Sequence, residues 1–277
     1  MAQRGGAGGT GSADARPLPG LDDAAFLEFA ADALASVTGA RGVALGGSRA
    51  QGANRPDSDW DVAVYYRGSF DPDGLRALGW PGTLSARGGW GPVFDGGGAL
   101  HVDGRTVDVH YRDLDAIEAV HEEALAGRFT IETLLYHQAG LPSTILLAEV
   151  GVNRALRGEV PAFEYPPALR ASAPGIWWQR AELTLHYARE GHARHGRVAQ
   201  CAGLLSEAAC SAAHAILAHR GEWITNEKQL LTRAGLRGVD AVVGRMGAEP
   251  VELLRAVDAV EVLLVDAVRR DGIAGGG

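Results

Sequence analysis

The predicted strand DWDVAVYYRG, residues 59–68, constrains this chain most, because two acids alternate there with residues typical of a protein core. Alternate strand residues point to one face, so Asp59 and Asp61 would share a face, about 7 Å apart along the chain. Trp60 would point to the other face, into packing. Two carboxylates this close repel unless a cation lies between them. The pattern therefore predicts a strand with one packed face and one face that binds a divalent cation such as Mg²⁺, which prefers oxygen ligands.

A short glycine turn precedes this strand. VALGGSRA, residues 43–50, predicts a strand that ends in Gly46 and Gly47, followed by the start of a helix. Glycine lets the backbone approach a ligand closely. The Ser48 hydroxyl and the free N–H groups of a helix start suit phosphate oxygens, and Arg49 could also reach a phosphate. Alone such a turn is a weak signal, but beside Asp59 and Asp61 it points to a metal-bound nucleoside triphosphate.

A third acid lies on a later predicted strand. LHVDGRTVDVHY, residues 100–111, predicts a β-hairpin with Asp103 and Gly104 as its two-residue turn. Asp108 stands between two valines, and an acid buried among such residues needs coordination or hydrogen bonding. Three convergent carboxylates can hold two divalent ions. His110 would share a face with Asp108, where it lines the same cleft or packs behind it.

The order of predicted elements indicates two domains after a tail. Residues 1–20 are rich in Gly, Ala and Ser and predict a disordered tail. Residues 21–160 predict an α+β domain with a small mixed sheet flanked by helices, beginning with a helix capped by Asp22. Residues 161–277 open with a proline-rich linker and continue with long helical patterns, which predict an all-α bundle. The overall fold class expected is therefore α+β with a C-terminal helical domain.

Charge and cysteine content narrow the expected partners and compartment. The 277-residue chain has a formal net charge of -8, which argues against tight nonspecific binding to nucleic acid or anionic membranes. We find neither a signal-peptide core nor an apolar run of the ~20 residues that a membrane span needs. Cys201 and Cys210, nine residues apart on one predicted helix, would point to opposite faces and not bridge. A reduced, cytoplasmic protein is expected.

Together these motifs resemble the nucleotidyltransferase superfamily that includes DNA polymerase β. The resemblance covers roughly residues 40 to 112: an apolar strand, Gly47-Ser48, Asp59-x-Asp61, and Asp108 between apolar residues on a distant strand. The helical second half looks like that of two-domain bacterial antibiotic nucleotidyltransferases, which adenylylate aminoglycosides or lincosamides.

The resemblance implies a reaction and roles for its residues. Gly47 and Ser48 would contact the β- and γ-phosphates of ATP or another nucleoside triphosphate, and Asp59, Asp61 and Asp108 would bind two Mg²⁺ ions. An acceptor hydroxyl would then attack the α-phosphorus in line, and pyrophosphate would leave.

Two further roles follow from the resemblance. Related enzymes supply a basic residue from the helical half to the triphosphate. Lys228, the only lysine among 26 basic residues, is our candidate, although a lone lysine on a solvated helix start is the simpler explanation. The general base stays open between Glu123, Glu132 and Glu207, and Asp108 could do both jobs.

The expected function is Mg²⁺-dependent transfer of a nucleoside monophosphate, AMP by preference, to a hydroxyl of a small molecule. The acidic surface favours a cationic acceptor such as an aminoglycoside antibiotic. The alternative is a regulatory or toxin–antitoxin nucleotidyltransferase that modifies protein or RNA. A silent nucleotide-binding scaffold is disfavoured, because binding alone has little need of three buried charges. The sequence leaves the oligomeric state open.

Overall fold

The computed structural model describes residues 20–273, which divide into two compact units. The first unit ends at Leu114 and also includes Asn153–Val160. The second unit comprises Asp115–Val152 and the chain from Pro161 onward. The tail predicted for residues 1–20 lies, except for Gly20, outside the described residues.

This division differs from the predicted one in residues 115–152, which we had assigned to the first domain. These residues contact the helical unit: the Ser172 hydroxyl donates to the Gly127 carbonyl at 2.6 Å, and the rings of Phe129 and Trp177 lie 6.0 Å apart. The second unit resumes at Pro161.

Short strands build a five-stranded mixed sheet in the first unit and a two-stranded ladder in the second. In chain order the strands are β1 (Ala40–Leu45), β2 (Trp60–Tyr66), β3 (Gly96–Val102), β4 (Arg105–Asp113), β5 (Ile131–Glu132), β6 (Leu141–Pro142) and β7 (Arg154–Gly158). The large sheet has the order β3-β4-β2-β1-β7. Its β2 and β4 run parallel, and its other neighbouring strands run antiparallel.

Helices surround the sheet and build the second unit, as predicted for an α+β chain. They are α1 (Asp23–Ala35), α2 (Gly47–Ala50), α3 (Asp73–Arg76), α4 (Gly91–Phe94), α5 (Leu114–Leu125), α6 (Ile145–Val152), α7 (Pro167–Tyr187), α8 (Val198–Arg220), α9 (Leu230–Ala234), α10 (Gly238–Val243) and α11 (Pro250–Arg270).

Helix α1 covers one face of the large sheet. Its N-terminus is capped as predicted, because the Asp22 carboxylate accepts a hydrogen bond from the Ala25 backbone N–H at 2.9 Å. Phe26 packs against Trp60 of β2, with ring centroids 5.0 Å apart. The core of this unit lies between α1 and the sheet and contains aliphatic residues of β1, β2, β3 and β4. The opposite face carries the acids of β2 and β4 together with the buried Ala63 and Tyr65.

The β3–β4 hairpin turns as predicted. Asp103 and Gly104 adopt φ values of +49° and +73°, the left-handed conformation that a tight two-residue hairpin turn requires. Asp103 also accepts hydrogen bonds from the Leu21 backbone N–H at 3.0 Å and from Arg105 at 2.7 Å, which ties the turn to the start of α1.

The second unit is a helical bundle built around α8. Helices α7 and α11 both pack on α8, and small residues such as Ala209 and Ala212 are fully buried there. The proline-rich segment predicted as a linker is helical from Pro167 onward. Pro167 is in the first turn, where proline is compatible with a helix, and Pro174 lies inside the helix. Cys201 and Cys210 are buried and free, as expected.

Helix α8 corrects our prediction that no segment is long and apolar enough to span a membrane. It has 23 residues, and its length and composition meet that requirement. Its most apolar window is, however, 72% buried inside the protein. Such burial is typical of the central helix of a bundle.

A buried ionisable cluster connects α8 to the segment before α9. The His214 ring stacks on Trp177 with centroids 4.3 Å apart, and its Nε2 lies 3.8 Å from a Glu227 carboxylate oxygen. That carboxylate accepts backbone N–H groups of Gln138 and Ala139 at 2.6 and 3.0 Å. Burial lowers the pKa of His214 below its usual 6.5. Glu227 raises the pKa of His214, whereas His137 and Arg180 lower it further, and the net shift is downward.

We predict that acid destabilises this cluster. Below about pH 6.5 the unfolded chain protonates residue 214 while the folded chain resists, so the free energy of unfolding falls as pH falls. Melting temperatures measured at about pH 7.5 and about pH 5.5 should therefore differ less in His214→Phe, which keeps the stacking on Trp177 but cannot titrate. The exposed His195 gives a matched control, because His195→Phe should keep the wild-type difference. An equal pH dependence in His214→Phe and wild type would contradict the assignment.

Candidate active site

Two of the predicted acids lie side by side on the polar face of the large sheet. In the parallel pairing of β2 with β4, Asp61 is directly opposite Asp108. Neighbouring strands are ~4.8 Å apart, so both carboxylates leave the sheet at the same level. Both side chains are half-buried, whereas Trp60 points into the core as predicted. The structure thus brings Asp61 and Asp108 together.

The glycine turn lies against Asp61. The Gly46 N–H donates to the Asp61 carbonyl at 2.8 Å, which joins the end of β1 to the start of β2. Gly47 has φ +60°, and a Cβ built there would overlap the Asp61 carboxylate. Both its conformation and its lack of a side chain are therefore required. Gly47 and Ser48 begin α2 within reach of the same carboxylate that faces Asp108.

Asp59 stands just before β2 and is exposed. Burial, and after it the negative charge of Asp59, raise the pKa of Asp108 above its ordinary value. Asp59 and Asp108 therefore interact electrostatically, with Asp59 at the solvent side and Asp108 in the more buried position. A cation near Asp108 would relieve both effects.

The carboxylates of Asp61 and Asp108 are oxygen ligands of the kind that Mg²⁺ prefers, but they do not supply a full set of protein ligands. Among residues 20–273, no group of three or more His, Cys, Asp or Glu side chains is arranged to hold a metal ion. Mg²⁺ is commonly bound through one or two carboxylates together with substrate phosphates. The adjacent pair Asp61 and Asp108, with the space left by Gly47, suits that mode.

Arg49 stabilises the loop before β2, a role that we did not predict from the sequence. Its guanidinium donates to the Ser58 carbonyl at 2.8 Å and to the Asp59 carbonyl at 3.2 Å, and it stacks over Trp60 at 4.0 Å. Its side chain is only 9% exposed. It therefore fixes the loop that precedes Asp59, and a direct phosphate contact would require these bonds to break.

Lys228 belongs to the second unit. It is exposed, and its backbone N–H donates to the Asn226 side chain at 3.0 Å in the segment before α9. Its contact with a triphosphate remains a prediction. Of the open candidates for the general base, Glu123 is bound to Arg128 at 2.6 Å.

Sequence reasoning missed an aromatic group on the same face of the sheet. Trp90, from the segment between β2 and β3, packs perpendicular to His110 with ring centroids 5.7 Å apart. His110 is two residues beyond Asp108 on β4. The run Gly96-Gly97-Gly98 in β3 was the available signal, because glycines inside a strand often mark a close approach of another segment.

Comparison with known proteins identifies the domain that contains these residues. Residues 31–126, which contain β1, the glycine turn, β2 and β4, match the family model described as "Nucleotidyltransferase domain". The chain thus carries a nucleotidyltransferase domain.

A solved structure with similarity is a nucleotidyltransferase-like protein from Exiguobacterium sibiricum. It is 12% identical, and the match covers 89% of this chain and 77% of that one with a TM-score of 0.45. A search of curated proteins gave no match.

We predict that Gly47→Ala disrupts the site more than Gly52→Ala does. Both glycines have positive φ, +60° and +65°, but a Cβ at Gly52 meets nothing within 4 Å. Gly52→Ala should therefore lose only about 1 kcal/mol from backbone strain. Gly47→Ala should lose more, because its methyl group must displace Asp61. Thermal unfolding of the two variants measures the difference, and equal losses would refute the predicted overlap.

We also predict that Asp108→Asn stabilises the metal-free protein. Because the pKa of Asp108 is raised in the folded protein, the free energy of unfolding falls as pH rises through that pKa. The charged carboxylate therefore destabilises the metal-free protein at neutral pH. The melting temperature in EDTA should rise by a few degrees near pH 7 and change little near pH 4. Asp57→Asn is the control, because Asp57 is 77% exposed and should give no such gain. A lower melting temperature for Asp108→Asn at pH 7 would count against the assignment.

Proposed function

We propose that the protein is a Mg²⁺-dependent nucleotidyltransferase that transfers AMP from ATP to a hydroxyl of a small molecule. The observation that carries this proposal is the register of Asp61 opposite Asp108, with the Asp61 carboxylate seated against Gly47. Two acids held together beside a glycine turn suit a polyphosphate and its cation. The nucleotidyltransferase domain at residues 31–126 supports the same reaction class.

Each residue of the proposed site would contact either the metal ion or the triphosphate. Asp61 and Asp108 would hold Mg²⁺, with Asp59 adding negative charge at the solvent side. Bound Mg²⁺ would neutralise charge on the phosphates and favour ionisation of the attacking hydroxyl. Gly47 and Ser48, at the start of α2, would bind the outer phosphates.

In the proposed reaction the acceptor oxygen forms a bond to the α-phosphorus. The bond from that phosphorus to the bridging oxygen breaks, and pyrophosphate leaves with the electron pair. We propose that the proton of the hydroxyl passes to Asp108, whose carboxylate lies beside Asp61 on the same face of the sheet. Arg49 acts on the reaction indirectly, since it fixes the loop that carries Asp59.

For the acceptor we propose a cationic small molecule, such as an aminoglycoside antibiotic. The net charge of -8 supports this choice, because an acidic protein attracts cations and repels polyanions. Lys228 is proposed as a contact to the triphosphate from the helical unit.

The test is pyrophosphate release from ATP and Mg²⁺ in the presence of aminoglycosides and lincosamides. We expect Asp61→Asn to lower the rate by about a hundredfold or more, because it removes charge beside the reacting phosphate. Asp73→Asn, at an exposed site on α3, should keep the wild-type rate. Full activity in Asp61→Asn would refute the proposed site.

The same assay with α-³²P-labelled ATP separates the two expected functions. Label on the small molecule supports antibiotic-type transfer. Label on a protein or RNA from a cell lysate would instead favour the regulatory or toxin–antitoxin alternative. No transfer to any of these acceptors would reject the proposed reaction.

A further inference from the structure

The segment before β3 is attached to the sheet as an additional irregular strand. The backbone N–H groups of Thr83 and Ser85 donate to carbonyls of β3 at 3.0 and 2.8 Å. The Ser85 hydroxyl accepts the Gly97 N–H at 3.0 Å. These hydrogen bonds hold residues 83–85 along the edge of the sheet and so fix the start of the segment that contains Trp90.

Trp90 then folds over the polar face of the sheet. A Cβ built at Gly97 would lie 2.6 and 2.8 Å from two carbons of the six-membered ring of Trp90, so glycine is required beneath the indole. Gly97 is paired with His110, and the next residue pair on this face is Ala99 with Asp108. The indole therefore lies one residue pair away from a predicted metal ligand, and 38% of Trp90 remains exposed.

His110 is held in one orientation beneath Trp90. The guanidinium of the buried Arg112 lies 3.0 Å from its Nδ1, and Arg112 also donates to the carbonyls of Phe94 and Tyr111 at 2.9 Å. Because a guanidinium can only donate, Nδ1 accepts and the ring proton of neutral His110 is on Nε2. Arg112 thus fixes His110, and His110 in turn supports Trp90 edge-on.

The order of strands places Trp90 opposite the glycine turn. Across the sheet, the Gly47–Ser48 turn follows β1, Asp61 is on β2, Asp108 is on β4, and Trp90 covers β3. In an in-line displacement the attacking oxygen and the leaving group lie on opposite sides of the phosphorus. If the turn binds the outer phosphates, as the proposed function states, the acceptor approaches from the side of Trp90.

We propose that Trp90 is the acceptor-binding residue of this enzyme and that it stacks on a sugar ring of the acceptor. The indole is a large, flat and mostly apolar ring system, and 38% of Trp90 is exposed beside the predicted metal ligand Asp108, so it can pack against the face of a sugar ring. Aromatic side chains with a few polar groups are the usual lining of small-molecule sites. This inference rests on the proposed function for the direction of attack.

Binding of kanamycin A to the nucleotide-free full-length protein tests the inference directly. Isothermal titration should detect binding at up to about 1 mM, the upper end of common KM values. Trp90→Leu should weaken it about tenfold, because the flat ring is lost while an apolar side chain is kept. Trp90→Phe, which retains a flat ring, should restore most of the affinity.

Trp80→Leu is the matched control. Trp80 precedes the same segment but packs against Phe29 on the helix-covered face, with ring centroids 6.0 Å apart. It should retain wild-type affinity for kanamycin A. In turnover assays Trp90→Leu should raise the KM for the acceptor about tenfold and leave the KM for ATP unchanged.

Each outcome separates this inference from the proposed function. Wild-type turnover with an unchanged acceptor KM in Trp90→Leu overturns the role of Trp90 and leaves the reaction standing. Binding that depends on Trp90 without any pyrophosphate release supports the site and rejects the reaction. Failure of the wild-type protein to bind kanamycin A overturns the acceptor class that we propose.

Discussion

The parallel pairing of β2 with β4 is the constraint on which the candidate site depends. It pairs residues that are 47 positions apart in the chain, and its register puts Asp61 opposite Asp108. A shift by one residue would turn every side chain of β4 to the other face, which would bury Asp108 in the core and expose Val107 and Val109. The apolar residues of the core thus fix the position of the acids, because the same register satisfies both faces.

Several parts of the fold could be predicted because their signals are local. The Asp22 cap and the Asp103-Gly104 turn each depend on a few adjacent residues, and both were confirmed. The side-by-side placement of Asp61 and Asp108 could be anticipated for a related reason. Each acid stands in a strand whose other face is apolar, so its direction is decided by burial of its neighbours.

Other features depend on long-range contacts and could not be predicted. Residues 115–152 join the helical unit through contacts such as Ser172 with Gly127, which have no signature in local sequence. Arg49 was read as a phosphate ligand because it follows the glycine turn, yet its partners are carbonyls nine and ten residues later. The helix from Pro167 was obscured by its prolines, because Pro167 is compatible with its first turn but Pro174 lies inside it, where proline is unfavourable.

The three consecutive glycines of β3 have a consequence for solubility. A free strand edge invites pairing with another chain, and natural sheets commonly protect such edges. Here residues 81–85 bond along β3 and occupy that edge. A Cβ at Gly98 would overlap the Thr83 carbonyl, so any side chain there would push the protecting segment away. Gly98 therefore allows residues 81–85 to cover the edge of β3, which should reduce pairing of that edge with another chain, while Gly97 makes room for the indole of Trp90.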